Sequence, residues 1–133
     1  EPVLRTIELA AKSTHVEITT MLMDRENSSI DEIRTLAKRI GDINRSIPLH
    51  LSRYFPAYKM KNPPTKIDVL MEAKNIAREY LDYVYVGNVW GIDNNTYCPK
   101  CYEKLIDRKV KGEISAIENG KCKKCQYKVN LIY

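Results

Sequence analysis

The chain has 133 residues, of which 44% are hydrophobic and 29% charged, a composition typical of one ordinary globular domain with a small appendage. It shows no signal peptide and no apolar run of membrane-spanning length, so we expect neither a membrane protein nor a secreted disulfide scaffold but a protein of the reducing cytoplasm. The net charge of +5 comes entirely from residues 98–133, which hold nine basic and four acidic side chains, whereas residues 1–97 hold thirteen of each.

A helix, a strand and a second helix are predicted in the first third of the chain. Apolar residues recur at helical spacing at Val3, Leu4, Ile7, Ala10 and Ala11. From residue 15 to residue 23 apolar and polar residues alternate instead, which predicts a strand. Ser29, followed three residues later by Glu32, has the spacing of a capping box and predicts a helix that ends at Gly41.

The same order of elements is predicted to continue through the middle of the chain. Alternation over residues 47–52 predicts a second strand, which a long polar loop follows. Thr65 and Asp68 are predicted to cap a third helix after two prolines, and a third strand is predicted over residues 83–86, ended by Gly87.

Whole helices between successive strands predict a parallel sheet with every helix on one side, because such crossovers are right-handed. A parallel sheet is normally covered on both faces, so the bare face should close into a barrel or meet a partner. We therefore expect the α/β class, with residues 1–96 as the carboxyl-terminal units of a partial (β/α) barrel. A complete small protein is the alternative, and a chain standing alone should bury the face in a homodimer or by domain swapping.

Four cysteines, in two Cys-x-x-Cys pairs, carry the most specific signal in the sequence: Cys98, Cys101, Cys122 and Cys125. This spacing predicts a closed four-thiolate zinc site, which organises structure and leaves no open position for catalysis. Residues 97–133 are then a zinc-ribbon domain whose folding depends on the metal. A redox role would need only one such pair, while iron in place of zinc remains an alternative.

Lysines surround the predicted metal site, at Lys121, Lys123, Lys124 and Lys128 among others. Four thiolates around one Zn²⁺ carry about two negative charges, which the lysines would partly neutralise. A phosphate-binding role is less favoured, so nucleic acid is not the expected partner.

Ligands of parallel α/β sheets lie beyond the carboxyl ends of the strands, where this sequence is unusually polar. Polar residues expected to converge there could hydrogen-bond a polar cofactor, and Arg53 could hold a carboxylate. These residues are Thr19, Thr20, Ser52, Arg53, Tyr54, Tyr58, Lys59 and Asn88. His50, inside a strand, is interpreted as a core histidine, with a base as the alternative, and His15 as a solvent-facing one. No recognisable catalytic set can be assembled, so the catalytic residues are left unassigned.

The stretch from Pro48 to Met60, Pro-Leu-His-Leu-Ser-Arg-Tyr-Phe-Pro-Ala-Tyr-Lys-Met, resembles a signature of the radical SAM enzymes of the AmmeMemoRadiSam type, which are similar to pyruvate formate-lyase activating enzyme. Further segments resemble the same family in the same order: residues 15–20, 63–65, 83–89 and 95–99. The resemblance covers nearly the whole chain.

That resemblance implies a partial barrel that binds S-adenosylmethionine beside a [4Fe-4S] cluster and cleaves it reductively to a 5′-deoxyadenosyl radical. It implies that Thr19, Thr20, Ser52, Arg53 and Tyr54 line the nucleoside and substrate side of the pocket. The family's cluster motif, Cys-x-x-x-Cys-x-x-Cys, is absent from these residues. The chain is therefore expected to be the inactive carboxyl-terminal part of such an enzyme, whose ribbon covers the cluster mouth or docks a protein substrate. The alternative is a stand-alone zinc-ribbon adaptor that binds protein or nucleic acid.

Overall fold

The computed structural model describes residues 2–109 and 113–130, and the chain forms two compact units, Glu1–Ile92 and Asp93–Tyr133. The predicted ribbon, residues 97–133, also includes residues 110–112 and 131–133, which lie outside the described residues. In the first unit helices and strands alternate: α1 (Pro2–Ala10), β1 (Ile18–Leu22), α2 (Ile30–Ile43), β2 (Leu49–Arg53), α3 (Ile67–Ala77) and β3 (Val84–Gly87).

The three strands form one parallel sheet in the order β1-β2-β3, which confirms the predicted mixed α/β architecture. Thr19, His50 and Tyr85 lie side by side across the sheet. Thr20, Leu51 and Val86 form the next row toward the carboxyl ends of the strands. Because β1 and β3 are the two edges, these described strands do not close on themselves into a barrel.

The helices cover one face of this sheet. Strand and helix residues share one apolar cluster, which includes Leu22, Leu49, Leu51, Val84, Val86, Ile33, Ala37, Ile40, Leu70, Ala73 and Ala77. On the opposite face Met21 is 49% exposed, and the side chains of His50, Ser52 and Tyr85 are only half buried. We call this opposite face, formed by Thr19, Met21, His50, Ser52 and Tyr85, the uncovered face.

Helix α2 begins as predicted but ends later. The Ser29 hydroxyl accepts a hydrogen bond from the backbone N–H of Glu32, and the Glu32 carboxylate accepts one from the N–H of Ser29, so the capping box is confirmed. The prediction that Gly41 ends the helix is wrong, since α2 runs on to Ile43. A Cβ at Gly41 would lie 2.8 Å from the carbonyl oxygen of Tyr80, so glycine allows a close approach of two backbone segments there.

Thr65 does not cap α3, contrary to the prediction. The N-cap is Lys66, which makes no side-chain cap bond. Thr65 is instead fully buried, where its hydroxyl donates to the carbonyl of Leu22 and accepts the backbone N–H of Tyr54 at 3.2 Å. This side chain therefore ties the end of β1 to the segment that follows β2.

The second unit consists of short strands. A three-stranded antiparallel sheet contains β4 (Thr96–Tyr97), β5 (Lys104–Asp107) and β6 (Glu113–Ile114), and a hairpin contains β7 (Ile117–Glu118) and β8 (Lys121–Cys122). Its buried cluster is small: Cys98, Leu105, Ile106, Cys122 and Val129. Within residues 2–109 and 113–130, no helix is both long enough and apolar enough to cross a bilayer.

Candidate functional site

The four cysteines of the second unit lie together, with all four sulfur atoms within 4.8 Å of one another. The Sγ atoms of Cys98 and Cys125 are 3.6 Å apart, and those of Cys101 and Cys122 are 3.7 Å apart. A tetrahedral ion with bonds of about 2.3 Å to sulfur requires sulfur atoms about 3.8 Å apart. The tetrad can therefore hold a metal ion such as zinc.

The two Cys-x-x-Cys turns have the same backbone geometry. The N–H of Tyr102 donates to the carbonyl of Cys98 at 3.0 Å, and the N–H of Gln126 donates to the carbonyl of Cys122 at 2.9 Å. Tyr102 and Gln126 have φ angles of 59° and 62°, which side-chain-bearing residues rarely adopt. Both turns are thus folded to bring the two sulfurs of a pair toward one point.

The protein environment favours one thiolate in particular. Burial opposes ionisation of Cys122, but hydrogen bonds from the backbone N–H groups of Cys125 and Lys124 outweigh it and lower the pKa of Cys122 to about 7. Thiolate is the metal-binding form of cysteine, so Cys122 offers a ligand near neutral pH before any metal arrives.

Two other thiols are held in the protonated form. Burial raises the pKa of Cys98. At Cys101 a backbone hydrogen bond from Glu103 favours the thiolate, but burial and the neighbouring sulfurs outweigh it and raise the pKa to about 12. A cation that replaced these protons would remove the mutual repulsion of the sulfurs, as expected for a metal-binding tetrad.

Several of the basic side chains near the tetrad already have partners. Lys124 pairs with Glu103 at 3.2 Å, and Lys104 pairs with Asp107 at 2.6 Å. The ammonium group of Lys123 donates to the carbonyl of Ser115 at 3.4 Å. These contacts reduce the charge that the second unit can offer to a phosphate backbone.

The site residues predicted in the first unit lie on different surfaces. Thr19 and Ser52 belong to the uncovered face, whereas Thr20 lies beside Leu51 on the face that the helices cover. Tyr54 is only 4% exposed, and its hydroxyl has no hydrogen-bond partner among the described residues. The five residues predicted to bind a cofactor therefore do not form a single cluster.

Arg53 lies in an open cleft at the carboxyl ends of β2 and β3. Its Nε donates to the carbonyl of Thr65 at 2.8 Å, and its guanidinium carbon lies 4.7 Å from the ring centre of Phe55. Its Nη1 and Nη2 groups have no partner in the described ranges, and the cleft, of about 580 Å³, is lined by Arg53, Phe55, Asn88, Val89 and Trp90. A guanidinium fixed at Nε with its other donors available is suited to a carboxylate or a phosphate.

Asn88 joins the ends of the two strands that form this cleft. Its side-chain N–H group donates to the Ser52 hydroxyl at 3.1 Å and to the Arg53 carbonyl at 3.4 Å. Asn88 has a φ of 59°, a conformation that asparagine tolerates better than most residues. The predicted residues Ser52, Arg53 and Asn88 are therefore brought together, while Tyr58 is 93% exposed in the following loop.

The sequence interpretation missed a polar group on the uncovered face. His50, interpreted as a core residue, has a side chain that is 35% exposed and a ring nitrogen 2.8 Å from the Glu17 carboxylate. Its ring stacks on that of Tyr85, with centroids 5.3 Å apart. Alternation places His50 on the face opposite Leu49 and Leu51, but it does not show which of the two faces the helices cover.

No known family's sequence model matches the chain, and no solved structure matches it. The chain is similar to an uncharacterized protein of Methanocaldococcus jannaschii, with 40% identity over 140 aligned positions. The alignment covers 99% of the chain but 42% of that protein. The similarity thus extends through both units, and the chain spans less than half the length of this relative.

Proposed function

We propose that the chain is the carboxyl-terminal wall of a (β/α)-barrel enzyme that binds S-adenosylmethionine, with a structural zinc ribbon attached. The observation that carries this proposal is the three-stranded parallel sheet, which helices cover on one face while the other face bears polar side chains. Enzymes built on parallel strands bind their ligands at the carboxyl ends of the strands, where the Arg53 cleft lies.

The amino-terminal edge of the sheet supports a place within a larger barrel. Strand β1 is an edge strand, and a groove of about 590 Å³ runs beside it, lined in part by Val3, Leu4, Ile7 and Leu36. A further strand and helix would pair with the edge and fill this groove. In a chain without such a neighbour, a second copy would bury these surfaces as a homodimer or domain swap.

Arg53 has the properties needed to hold the carboxylate of S-adenosylmethionine. It is anchored at Nε by the Thr65 carbonyl and supported by the Phe55 ring, so its position is fixed before a ligand binds. Asn88, which also lines this cleft, donates to the Arg53 carbonyl and so holds the strand end that carries Arg53. When bound with a reduced cluster, the cofactor would supply a 5′-deoxyadenosyl radical that abstracts hydrogen from a substrate.

The cysteines of this sequence do not fit the cluster of that chemistry. All four belong to the tetrad of the second unit, and the sequence lacks the Cys-x-x-x-Cys-x-x-Cys motif. A cluster would need ligands from another part of a longer protein, so we assign no reaction step to this chain. The tetrad itself is proposed to hold zinc, because four thiolates in tetrahedral spacing are the usual set for a structural zinc ion.

The experiment is to read the gene upstream of the Glu1 codon and to express the complete reading frame. We expect a Cys-x-x-x-Cys-x-x-Cys motif there and, after anaerobic reconstitution with iron and sulfide, release of 5′-deoxyadenosine from S-adenosylmethionine under reducing conditions. Arg53→Ala should weaken cofactor binding about tenfold or more, since it removes a charge-assisted contact. Arg34→Ala is the matched control, because Arg34 pairs with Asp31 on the exposed side of α2.

Absence of the motif from the reading frame, or absence of cofactor binding by the reconstituted protein, would contradict the proposal. Steeply salt-dependent binding of nucleic acid by such a protein would favour a zinc-ribbon adaptor instead.

A further inference from the structure

The uncovered face carries a second polar group that is separate from the Arg53 cleft. The Glu17 carboxylate binds two imidazoles: Nε2 of His50 lies 2.8 Å from Oε2, and Nε2 of His15 lies 3.0 Å from Oε1. Among the described residues, Glu17 is the only hydrogen-bond partner of the His50 imidazole.

The charge of Glu17 determines where the imidazole protons lie. Hydrogen bonds from His15 and then His50 lower the pKa of Glu17, so it is a carboxylate at neutral pH and can only accept. Each Nε2 must therefore carry a proton. In a neutral imidazole protonated at Nε2, the lone pair lies on Nδ1, which is then an acceptor held in a defined direction.

His50 is better placed than His15 to use that lone pair. It lies within β2, between Thr19 of β1 and Tyr85 of β3, and its ring stacks on Tyr85 at an interplanar angle of 29°. His15 precedes β1 and has no such ring contact among the described residues. The His50 ring is thus held both at its edge and on its face.

Stability alone does not account for this arrangement. The side chains of His50 and Glu17 are 35% and 51% exposed, and ion pairs at such positions contribute about 0–1 kcal/mol. Thr19 and Ser52 lie on the same face as His50. Thr19 is the neighbour of His50 on β1, and Ser52 lies two residues further along β2. Donors and an acceptor are therefore spaced along one surface, as in a binding site for a hydroxylated ligand.

We propose that the uncovered face binds a hydroxyl group of a ligand, which donates its hydrogen bond to Nδ1 of His50. In a reaction the same nitrogen would accept the hydroxyl proton: the O–H bond breaks, an N–H bond forms, the ligand keeps the electron pair, and Glu17 stabilises the imidazolium. The inference deepens the proposed barrel enzyme and rests on it in taking this face as the barrel interior. The hydroxyl belongs either to a nucleoside sugar or to a hydroxylated substrate.

The first test measures the tautomer of His50 by NMR of the chain labelled with ¹⁵N-histidine. We expect neutral His50 to carry its proton on Nε2, and Glu17→Gln to shift the population toward the Nδ1-protonated tautomer. Neutral His50 protonated at Nδ1 in the unsubstituted chain would overturn the proposal.

The second test titrates the same sample with adenosine and, separately, with D-ribose. We expect adenosine to perturb the His50 nitrogen signals, with or without ribose, and His50→Phe, which keeps a ring against Tyr85, to weaken binding about three- to tenfold, the usual effect of one hydrogen bond. His15→Phe should leave binding unchanged. If adenosine binds and ribose does not, the hydroxyl belongs to a nucleoside. If the two bind equally, the face recognises the hydroxyl groups of the sugar, and a hydroxylated substrate is the ligand.

No perturbation of His50 by either probe at its solubility limit, or undiminished binding by folded His50→Phe, would overturn the inference. Both measurements use the chain alone, so they stand whether or not the complete reading frame produces 5′-deoxyadenosine. Failure of the proposed function and failure of this inference are therefore distinguishable.

Discussion

Among the described residues, the first unit buries fourteen apolar side chains in one cluster, whereas the buried cluster of the second unit has five members, of which two are cysteines. Burial of apolar surface contributes roughly 25 cal/mol per Å², so the first cluster can support a fold by itself. The second cluster is too small for that, as in other short domains that need a metal or a disulfide.

The comparison shows two ways in which one chain reaches an ordered structure. In the first unit the chain orders itself by packing helices on one face of a sheet, and the residues of the opposite face remain available for ligands. In the second unit the sulfurs that could bind a metal also belong to the buried cluster, so we expect folding of this unit to depend on metal binding. A substitution that unfolds one unit should therefore leave the other unit folded.

The largest expected effect is loss of the metal site. Cys122→Ser removes one ligand of four, and structural zinc contributes about 10–16 kcal/mol of apparent binding free energy that is also folding free energy. We expect zinc content to fall well below one ion per chain and residues 93–109 and 113–130 to lose their dispersed NMR signals. The helical circular dichroism of the first unit should persist.

Lys121→Ala is the control for this substitution, because Lys121 is an exposed neighbour of Cys122 on β8. Its zinc content, measured by mass spectrometry of the metal, should remain one ion per chain. Full zinc occupancy in Cys122→Ser would show that the tetrad is not the metal site.

The reciprocal test weakens the first unit. Leu51 is fully buried in the centre of the sheet, and Leu51→Ala should destabilise this unit by about 2–5 kcal/mol through the cavity it leaves. Zinc content should stay unchanged. Met21→Ala, on the uncovered face, should cost less than about 1 kcal/mol in the same denaturant titration. Simultaneous loss of zinc in Leu51→Ala would mean that the two units do not fold independently.

The kinds and order of elements were predictable because hydrophobic periodicity reports which face of an element is buried. The predicted strand ends were less accurate: β1 begins at Ile18 rather than near residue 15, because its pairing with β2 begins at Ile18 and Leu49. The proximity of the four cysteines was predictable for a different reason, because the spacing within each pair is itself the constraint.

The errors fall where a distant segment determines the role of a residue. Gly41 was interpreted as a helix terminator, but its role depends on the backbone of Tyr80, thirty-nine positions away. Thr65 has the chemistry of a cap, yet its hydroxyl bonds to Leu22 on another strand. His50 was misjudged because a strand shows which residues share a face but not which face the helices will cover.

The hydrogen bonds of Thr65 give the next largest expected effect. Thr65→Val keeps the shape of the side chain but leaves the buried Leu22 carbonyl and Tyr54 N–H short of one partner each. We expect a loss of about 1–3 kcal/mol in the stability of the first unit, measured by urea unfolding. Thr14→Val, at an exposed position, should change stability by less than about 0.5 kcal/mol. Equal stabilities of the two variants would show that the hydrogen bonds of Thr65 do not stabilise the connection between β1 and the segment after β2.

The smallest expected effect is a pH dependence of the free energy of unfolding, confined to the first unit. Hydrogen bonds from His15 and His50 hold the pKa of Glu17 below its ordinary value of 4.5 in the folded state. A carboxyl group whose pKa is lowered by folding contributes stability above the unfolded value, and that contribution is lost as the pH falls through the folded value. Because Glu17 is half exposed, the contribution should be less than about 1 kcal/mol.

Glu17→Gln tests this contribution. The variant should be slightly less stable than the parent chain at pH 7, and the difference should vanish as the pH falls below 4 toward the folded pKa. Glu72→Gln is the control, since the exposed Glu72 carboxylate has no ion pair or hydrogen bond among the described residues. A Glu17→Gln difference that stayed constant down to acid pH would show that the carboxylate charge is not what holds the two imidazoles, because a neutral Glu17 would then serve them equally well.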